Sequence, residues 1–447
     1  MSSRPDSSPG RAPEVRKLGL WSCVALVVGN MIGSGIFLLP ASLAPFGAIS
    51  LVGWVFTAGG AICLALVFAR LATMIPKAGG PFAYTRAGFG DFAAFWIAWG
   101  YWIALWSGNT AIAVACVSYA GVFFPPLGGS GMAPAVACIC VVWLLAAVNV
   151  RGVRSAGRVQ NATTIVKLIP LFALATVGLF WVKPEHFTPF NASGQSAFAA
   201  VSAVATLTLW SFLGLESATV PAGDVHDPRR TIPRATLIGT LLTTVVYILG
   251  TVVVMGIMPR EQLAASGAPF ADAAGSIWGG WASYAVGFGA VVSCFGALNG
   301  WMLLTGQLPA AAAREGLFPR RFGSVNRFGA PAFAIVSSAC LMTALIVFNY
   351  SGSKGLIGIF NFIILLATLA NLVPYAFSAL VPLLYRATDD SGPTPSRFSF
   401  RSAVVPVLAF LYSVWATYGS GPETVLYGFV LLLLGIPVYV WLKRESA

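Results

Sequence analysis

The sequence contains few charged residues. Only 9% of its 447 residues are Asp, Glu, Lys or Arg, whereas a soluble protein contains roughly 25%. A chain with 57% hydrophobic residues and so few charges cannot form a water-exposed surface of ordinary composition. The composition therefore excludes a soluble globular protein and indicates an integral membrane protein.

Histidine is also scarce, and cysteine occurs without metal-site spacing. The two histidines, His186 and His226, lie apart from every cysteine. The seven cysteines all fall in apolar stretches, where a thiol behaves as a small hydrophobic group. The pattern indicates neither a disulfide framework nor a zinc site, and we expect no metal and no cofactor. These cysteines are Cys23, Cys63, Cys116, Cys138, Cys140, Cys294 and Cys340.

Three further absences exclude other classes of membrane protein. A membrane-embedded hydrolase would need paired carboxylates or a histidine cluster inside the apolar stretches, and the sequence has neither. An ATP-driven pump would need a Gly-x-x-x-x-Gly-Lys-Ser/Thr motif, which is missing. A channel would be expected to carry a filter or a ring of like charges, but Glu216 has no similar neighbour inside the apolar stretches. The protein is therefore not expected to be an enzyme.

Apolar stretches of about the length that a bilayer requires, roughly 20 residues, make up most of the chain. Residues 1–15 lack apolar periodicity and are predicted to form a disordered cytoplasmic tail. Twelve membrane spans are predicted, at residues 18–43, 49–69, 92–123, 133–150, 162–182, 198–223, 235–258, 283–308, 330–349, 355–385, 402–419 and 424–442.

The basic residues indicate the orientation of these spans. Of the 26 Lys and Arg residues, only Lys183, Arg260 and Lys354 fall in odd-numbered loops, and Lys167 lies within a span. All the others lie in the terminal segments and the even-numbered loops. Because cationic loops are retained in the cytoplasm, both termini are predicted to be cytoplasmic. The net charge of +12 is thus a topology signal, and no nucleic acid partner is expected.

Two predicted spans are interrupted near their middle. Span one contains residues 29–35, GNMIGSG, and span six contains residues 210–217, WSFLGLES. In lipid, helix-breaking sequences are tolerated only where they line a cavity, because exposed peptide groups cost several kcal/mol. Close packing of small residues could explain either interruption alone. The matched pair, five helices apart, favours the binding site of an inverted-repeat transporter.

Unwound backbone at these two positions could bind a zwitterion. The N–H groups of Gly33, Ser34 and Gly35 would begin a half-helix, whose N-terminus favours an anionic group such as a carboxylate. Free carbonyl groups around Trp210 and Phe212 could accept hydrogen bonds from an ammonium group. A ligand that carries both groups is an amino acid.

Polar and aromatic side chains inside the spans supply further candidates. Aromatic faces attract cations, although intramembrane aromatic residues often face lipid instead. Asn109 needs hydrogen-bond partners from a neighbouring helix or from a ligand. Glu216 could pair with a tyrosine, carry a proton or accept from freed backbone groups, and Lys167 could either snorkel or take part in coupling. The aromatic candidates are Tyr101, Trp106, Trp210, Trp301 and Tyr375.

Three segments carry a resemblance to a known superfamily. Residues 29–37, GNMIGSGIF, residues 210–217 and residues 227–233, DPRRTIP, resemble the amino acid, polyamine and organocation transporter superfamily. Within it they are most similar to the basic amino acid/polyamine antiporter branch, with the arginine/agmatine antiporters as the nearest group. The resemblance covers almost the whole chain.

The resemblance implies an all-α polytopic fold of the LeuT type. In that fold two sets of five helices form an inverted repeat, two helices are appended, and helices one and six are discontinuous. The implied units are a first repeat at 16–184, a second repeat at 197–385, and the last two helices with a cytoplasmic C-terminus at 401–447.

The resemblance also implies roles for individual residues. Asn109 would reach the distal polar group of the substrate. Trp210 would cover the substrate on the outward side and Trp301 would close the path beneath it. A deeper gate would consist of Tyr101, Glu216 and Tyr375, and coupling is implied for Lys167 and Glu216. The implied substrate-binding residues are Asn30, Met31, Gly33, Ser34, Gly35, Ala104, Asn109, Trp210, Leu213, Trp301 and Ala367.

Two departures from that branch bear on the substrate. Ala367 stands where the branch has a small polar residue, and Leu105 stands where the branch has a smaller one, so the pocket is more apolar. Lys167 resembles a helix-five lysine that replaces a sodium ion in wider amino acid permeases, which argues against sodium coupling.

The predicted function is sodium-independent exchange of an amino acid, with a cationic one favoured, for a related amino acid or amine. The alternative is a proton-coupled permease for neutral amino acids. The predicted partners are the small-molecule substrate and the lipid bilayer, with a homodimer left open. The predicted location is the cell (inner or plasma) membrane.

Overall fold

The computed structural model describes residues 18–75, 80–152, 171–219, 225–386, 394–395 and 400–446. The predicted tail at 1–15 and the coupling candidate Lys167 lie outside these described residues.

The described chain is built almost entirely of α-helices. A two-residue antiparallel pairing joins β1, Tyr385–Arg386, to β2, Thr394–Pro395. Short 3-10 turns lie at Ala44–Phe46, Pro125–Leu127, Pro184–Phe187, Trp210–Phe212, Ser217–Thr219 and Arg320–Gly323, and a further 3-10 turn, Gly178–Trp181, ends the sixth helix. The helices, α1 to α16 in chain order, are Leu20–Met31, Ser34–Leu43, Ile49–Met74, Pro81–Ala120, Met132–Val150, Leu171–Trp181, Ala197–Leu209, Pro228–Ile257, Arg260–Ala265, Pro269–Trp278, Gly280–Arg314, Ala332–Tyr350, Leu356–Leu384, Phe400–Gly419, Pro422–Leu433 and Gly435–Ser446.

Ten of the predicted membrane spans are present as helices long and apolar enough to cross a bilayer within the described ranges. The predicted fifth and eleventh spans coincide with two shorter apolar helices, at Leu171–Trp181 and Ala403–Gly419. Residues 153–170 lie outside the described ranges, so the total of twelve spans stays a prediction. A polytopic helical membrane protein is confirmed.

Two predicted span boundaries are wrong because helix continues beyond the apolar core. The third span was placed at 92–123, but α4 already begins at Pro81 and is kinked at Gly90, where φ is 79°. The segment before the kink is too polar to be recognised as part of a span. The seventh span was placed at 235–258, whereas α8 begins at Pro228, a residue favoured in the first helical turn.

The centre of the molecule is formed by α4, which packs along α11 and α13. It carries no charged residue from Phe92 onward, and its side chains are buried along nearly its whole length. Helices at the periphery instead expose large apolar side chains, such as Phe348 in α12 and Leu426 in α15. Most polar residues in the middle of the spans are directed inward, where protein groups rather than lipid surround them.

Both predicted breaks are confirmed. In span one, α1 ends at Met31 and α2 begins at Ser34, with Gly33 in a non-helical conformation. In span six, α7 ends at Leu209 and two 3-10 turns follow, separated by Gly214. Gly214 has a φ of 103°, which a residue with a Cβ rarely adopts. The first break packs against α4 and α11, and the second break meets the same two helices through the contacts of Trp210 with Gly108 and of Gly214 with Trp301. The candidate site lies there.

Candidate substrate-binding site

A narrow cavity lies between the two broken spans and α4, α11 and α13. All the predicted substrate-binding residues except Ala367 line this cavity. Its lining is Asn30, Met31, Gly33, Ser34, Gly35, Ala104, Leu105, Gly108, Asn109, Ile112, Trp210, Ser211, Leu213, Trp301 and Asn371.

The first break directs the start of α2 into the cavity. Gly33 supplies no side-chain cap to α2, so the first N–H groups of this helix remain available to an anionic ligand. The Ser34 hydroxyl is buried and has no hydrogen-bond partner among the described residues. At Gly35, a Cβ atom would lie 2.3 Å from the Ser211 hydroxyl oxygen. Glycine at this position therefore allows the two breaks to approach each other.

The second break differs in part from the prediction. The carbonyl groups of Trp210 and Phe212, expected to be free, accept hydrogen bonds from the N–H groups of Leu213 and Leu215, each at 3.3 Å. The 3-10 turn uses these carbonyl groups, although each oxygen keeps a second lone pair. The Ser211 hydroxyl is buried without a partner in the described part of the chain.

One tyrosine joins the two breaks. The Tyr247 hydroxyl, on α8, lies 2.5 Å from the carbonyl oxygen of Met31 and 2.9 Å from that of Ser211. A phenol has a single hydrogen to donate, so the two carbonyl groups share it. Tyr247 was not among the predicted site residues, because the sequence of α8 does not show which carbonyl groups its hydroxyl meets.

The two predicted gating tryptophans both lie at the cavity. The Trp301 indole N–H donates to the carbonyl oxygen of Asn30 at 3.1 Å, which fixes its ring against the first break. A Cβ at Gly214 would lie 2.9 Å from the Trp301 ring, and a Cβ at Gly108 would lie 2.9 Å from the Trp210 ring. Each ring is thus packed against a glycine.

The amide of Asn109 is held by the next helix. Its Nδ2 donates to the Thr305 hydroxyl at 2.8 Å, and that hydroxyl donates to the Trp301 carbonyl oxygen at 2.7 Å. The Asn109 Oδ1 atom is buried and has no partner within the described ranges. Of the two explanations left open for this amide, the neighbouring helix therefore supplies one partner and leaves the oxygen for a ligand.

The predicted deeper gate residues form a compact cluster. The hydroxyl groups of Tyr101 and Tyr375 donate to the two carboxylate oxygens of Glu216, each at 2.7 Å. The Gly214 N–H, in the second break, also points to this carboxylate at 3.2 Å. Three donors therefore satisfy a carboxylate that is only 1% exposed. The cluster lies next to the cavity but does not line it.

Residues of α13 are placed differently from the prediction. Ala367 is buried in α13 but does not line the cavity, and its methyl group lies near Gly108. Asn371, one helical turn later, lines the cavity instead. Leu105 is at the cavity as expected, and makes its wall more apolar.

Comparison with known proteins agrees with this geometry. The sequence matches the amino acid permease family over residues 18–439. It is 36% identical to the cadaverine/lysine antiporter of Escherichia coli K12 over 438 residues, 96% of each chain. It is 33% identical to the putrescine transporter PotE of the same strain over 427 residues, 95% of each chain. It is 34% identical to the arginine/ornithine antiporter of Pseudomonas aeruginosa PAO1 over 443 residues, 96% of this chain and 92% of the relative.

The sequence similarity extends over nearly the full length of this chain and of each relative. It agrees with the polytopic helical fold and with the cavity between two broken helices. The chain therefore belongs to the amino acid permease family, a family of membrane transporters within the amino acid, polyamine and organocation superfamily.

Proposed function

We propose that this protein is a sodium-independent secondary transporter that exchanges an amino acid, a cationic one by preference, for a related amino acid or amine. The observation that carries the proposal is the cavity between two helix breaks, with a hydrogen-bonded carboxylate cluster beside it. The printed functions of the relatives, cadaverine/lysine and arginine/ornithine antiport, support the exchange of cationic substrates.

Binding begins at the backbone of the two breaks. The substrate carboxylate occupies the N-terminal end of α2, where the N–H groups of Ser34 and Gly35 and the Ser34 hydroxyl serve as donors. The substrate α-ammonium group takes the remaining lone pairs of carbonyl groups in the second break. The substrate side chain then extends between the rings of Trp210 and Trp301 toward Asn109.

Alternating access follows from movement of the groups that close the cavity. Trp210 covers the bound substrate on the outward side, and Trp301 closes the path beneath it. The cluster of Tyr101, Glu216 and Tyr375 keeps the cytoplasmic side shut, since its hydrogen bonds join α4, the second break and α13. The protein opens to the cytoplasm when these hydrogen bonds break. Binding of a second substrate from the cytoplasm then favours the return to the outward-open state.

The broader organisation is part of the same proposal. The repeats at 16–184 and 197–385 form an inverted pair, and the protein resides in the cell's inner or plasma membrane with both termini in the cytoplasm. The distribution of Lys and Arg supports this orientation. The oligomeric form consistent with the proposal is either a monomer or a homodimer, since the site is formed within one chain.

One observation favours a second candidate function. No Asp, Glu, Lys or Arg side chain is among the described residues that line the cavity. An uncharged lining also suits a neutral amino acid, whose uptake would then be coupled to protons.

A proteoliposome counterflow assay separates the two candidates. Radiolabelled arginine, lysine, ornithine, putrescine and leucine are offered outside, with and without unlabelled internal substrate and with and without a proton gradient. We expect internal lysine or an amine to stimulate uptake of the cationic substrates, with no effect of replacing sodium. Uptake that needs a proton gradient and ignores internal substrate would reject exchange.

The gating roles are tested in the same vesicles. We expect Trp210→Ala and Trp301→Ala each to abolish exchange, because each removes an aromatic ring that closes the cavity on one side of the substrate. Size-exclusion profiles and thermal melts of both variants establish that they are folded. Wild-type rates in both variants would remove the gating assignment.

A further inference from the structure

Two asparagine residues line the same cavity from different helices. Asn109, on α4, is 1% exposed, and Asn371, on α13, is 4% exposed. Both residues line the cavity. Both Oδ1 atoms lack a hydrogen-bond partner among the residues that the structure describes. A buried carbonyl-type oxygen without a partner costs free energy, so a ligand that donates to it is favoured.

The orientation of the Asn109 amide follows from its partner. The Thr305 hydroxyl uses its only hydrogen to donate to the Trp301 carbonyl oxygen. Toward Asn109 it can therefore only accept, so the amide nitrogen must face it. This leaves the Asn109 oxygen as the atom available to a ligand.

The Asn371 amide is oriented by the same type of constraint. Its Nδ2 faces the carbonyl oxygen of Ala367 at 3.5 Å, and a carbonyl group can only accept. The Asn371 oxygen is therefore also available as an acceptor. The methyl group of Ala367 does not reach the cavity, so Asn371 is the residue of α13 that contributes a polar group to the lining.

We infer that Asn371 is a specificity-determining residue of the substrate site, and that its Oδ1 accepts a hydrogen bond from the positively charged terminal group of the substrate side chain. Together with Asn109 it presents two acceptors to a head group that carries several N–H donors. Such a pair recognises a cation without placing a fixed negative charge in the lining. This inference rests on the proposed function, since it assumes that amino acids occupy the cavity.

The test compares two ligands with the same four-carbon side chain, of which only one carries a terminal ammonium group. Equilibrium binding of lysine and norleucine is measured on the purified full-length protein in nanodiscs, so that no transport step enters the result. The variants are Asn371→Leu, which keeps the size but removes the acceptor, and Asn371→Asp. The matched control is Thr368→Val, because Thr368 lies on the same helix and also has a buried hydroxyl without a partner in the described chain, but does not line the cavity.

We expect Asn371→Leu to raise the Kd for lysine about tenfold or more, the change that corresponds to one lost hydrogen bond to a charged group. The Kd for norleucine should stay within about twofold. Asn371→Asp should bind lysine at least as tightly as the wild type does. Thr368→Val should leave the Kd of both ligands unchanged.

Two different failures can be told apart. If the wild type prefers lysine over norleucine and Asn371→Leu retains that preference, or if Asn371→Leu weakens both ligands equally, the assignment of Asn371 is overturned. If the wild type binds norleucine as tightly as lysine, the preference for cationic substrates in the proposed function fails, whatever Asn371 does.

Discussion

Two glycines determine how closely the gating rings approach the cavity. Gly108 lies under Trp210 and Gly214 lies under Trp301, each with space for a hydrogen but not for a methyl group. Aromatic rings cannot bend away as a flexible chain can, so a Cβ at either position must displace the whole ring. Because protein interiors are close-packed, such a displacement changes the shape of the binding site.

Gly108→Ala is therefore expected to slow exchange by about fivefold or more. Overpacking of this kind costs roughly 1–3 kcal/mol, and the cost falls on the state in which Trp210 covers the substrate. The measurement is the initial rate of lysine counterflow in proteoliposomes.

A suitable control for this substitution is Gly59→Ala. Gly59 is also a helical glycine in a membrane span, but nothing lies within 4 Å of the position its Cβ would take. Gly59→Ala should transport at the wild-type rate. Equal rates in the two variants would contradict the role of Gly108.

At the level of helices, the two breaks behave as one unit. Each break leaves peptide groups without helical partners in the middle of a membrane protein, where unsatisfied groups are costly. Tyr247 on α8 offers its hydroxyl to one carbonyl group from each break. The relative position of the two breaks, and hence the width of the cavity, depends on this contact.

Tyr247→Phe is expected to destabilise the fold by about 1–3 kcal/mol, because two buried carbonyl groups lose their shared donor. It should also weaken substrate binding, since the breaks are no longer held together. Thermal melts with and without lysine measure both effects.

Tyr418→Phe serves as the comparison, because the Tyr418 side chain is 69% exposed. The melting temperature of that variant should equal that of the wild type. If Tyr247→Phe also melted with the wild type and bound lysine normally, the connecting role of Tyr247 would be refuted.

For the whole molecule, ion pairs join segments that the sequence assigns to the same side of the membrane. Arg86, near the start of α4, pairs with Asp91 at 2.9 Å and also with Glu315, just after α11. Lys443, on α16, lies 3.8 Å from Asp91. Partly exposed pairs of this kind contribute about 0–1 kcal/mol each. The ion pairs are informative about membrane topology, because they bring three segments that are predicted to be cytoplasmic together at one end of the molecule.

Cysteine accessibility tests the orientation. In a cysteine-free background, Gln195→Cys, in the loop before α7, should react with a membrane-impermeant maleimide added to intact cells. Ser324→Cys, in the loop before α12, should react only after the cells are permeabilised. Both positions are exposed, so the difference reports the side of the membrane. Labelling of Ser324→Cys in intact cells would contradict cytoplasmic termini.

Much of the site was predictable from the chain. Glycine and polar residues in the middle of an apolar run indicate a helix break, because lipid tolerates such sequences only where they line a cavity. The breaks at 29–35 and 210–217 could therefore be identified without coordinates. The resemblance to known transporters then supplied the cluster of Tyr101, Glu216 and Tyr375, which the structure brings together.

Asn371 and Tyr247 could not be found in this way. The polar residues of α8 and α13 recur along one buried face of each helix, so the sequence indicates which face points inward. The groups that each polar side chain meets depend on how neighbouring helices pack, so the sequence does not give the partners of Tyr247 or the contact of Asn371 with the cavity. Ala367, which was expected at the substrate, lies outside the cavity lining for the same reason.

The amino acid sequence alone thus determined that the protein lies in a membrane, where most of its spans are and which two of them break, because hydrocarbon permits only long apolar helices and penalises unpaired peptide groups wherever they occur. Only the tertiary structure decided which side chains share the cavity. That outcome depends on how helices distant in sequence rotate and pack against each other, which the composition of a single helix does not encode.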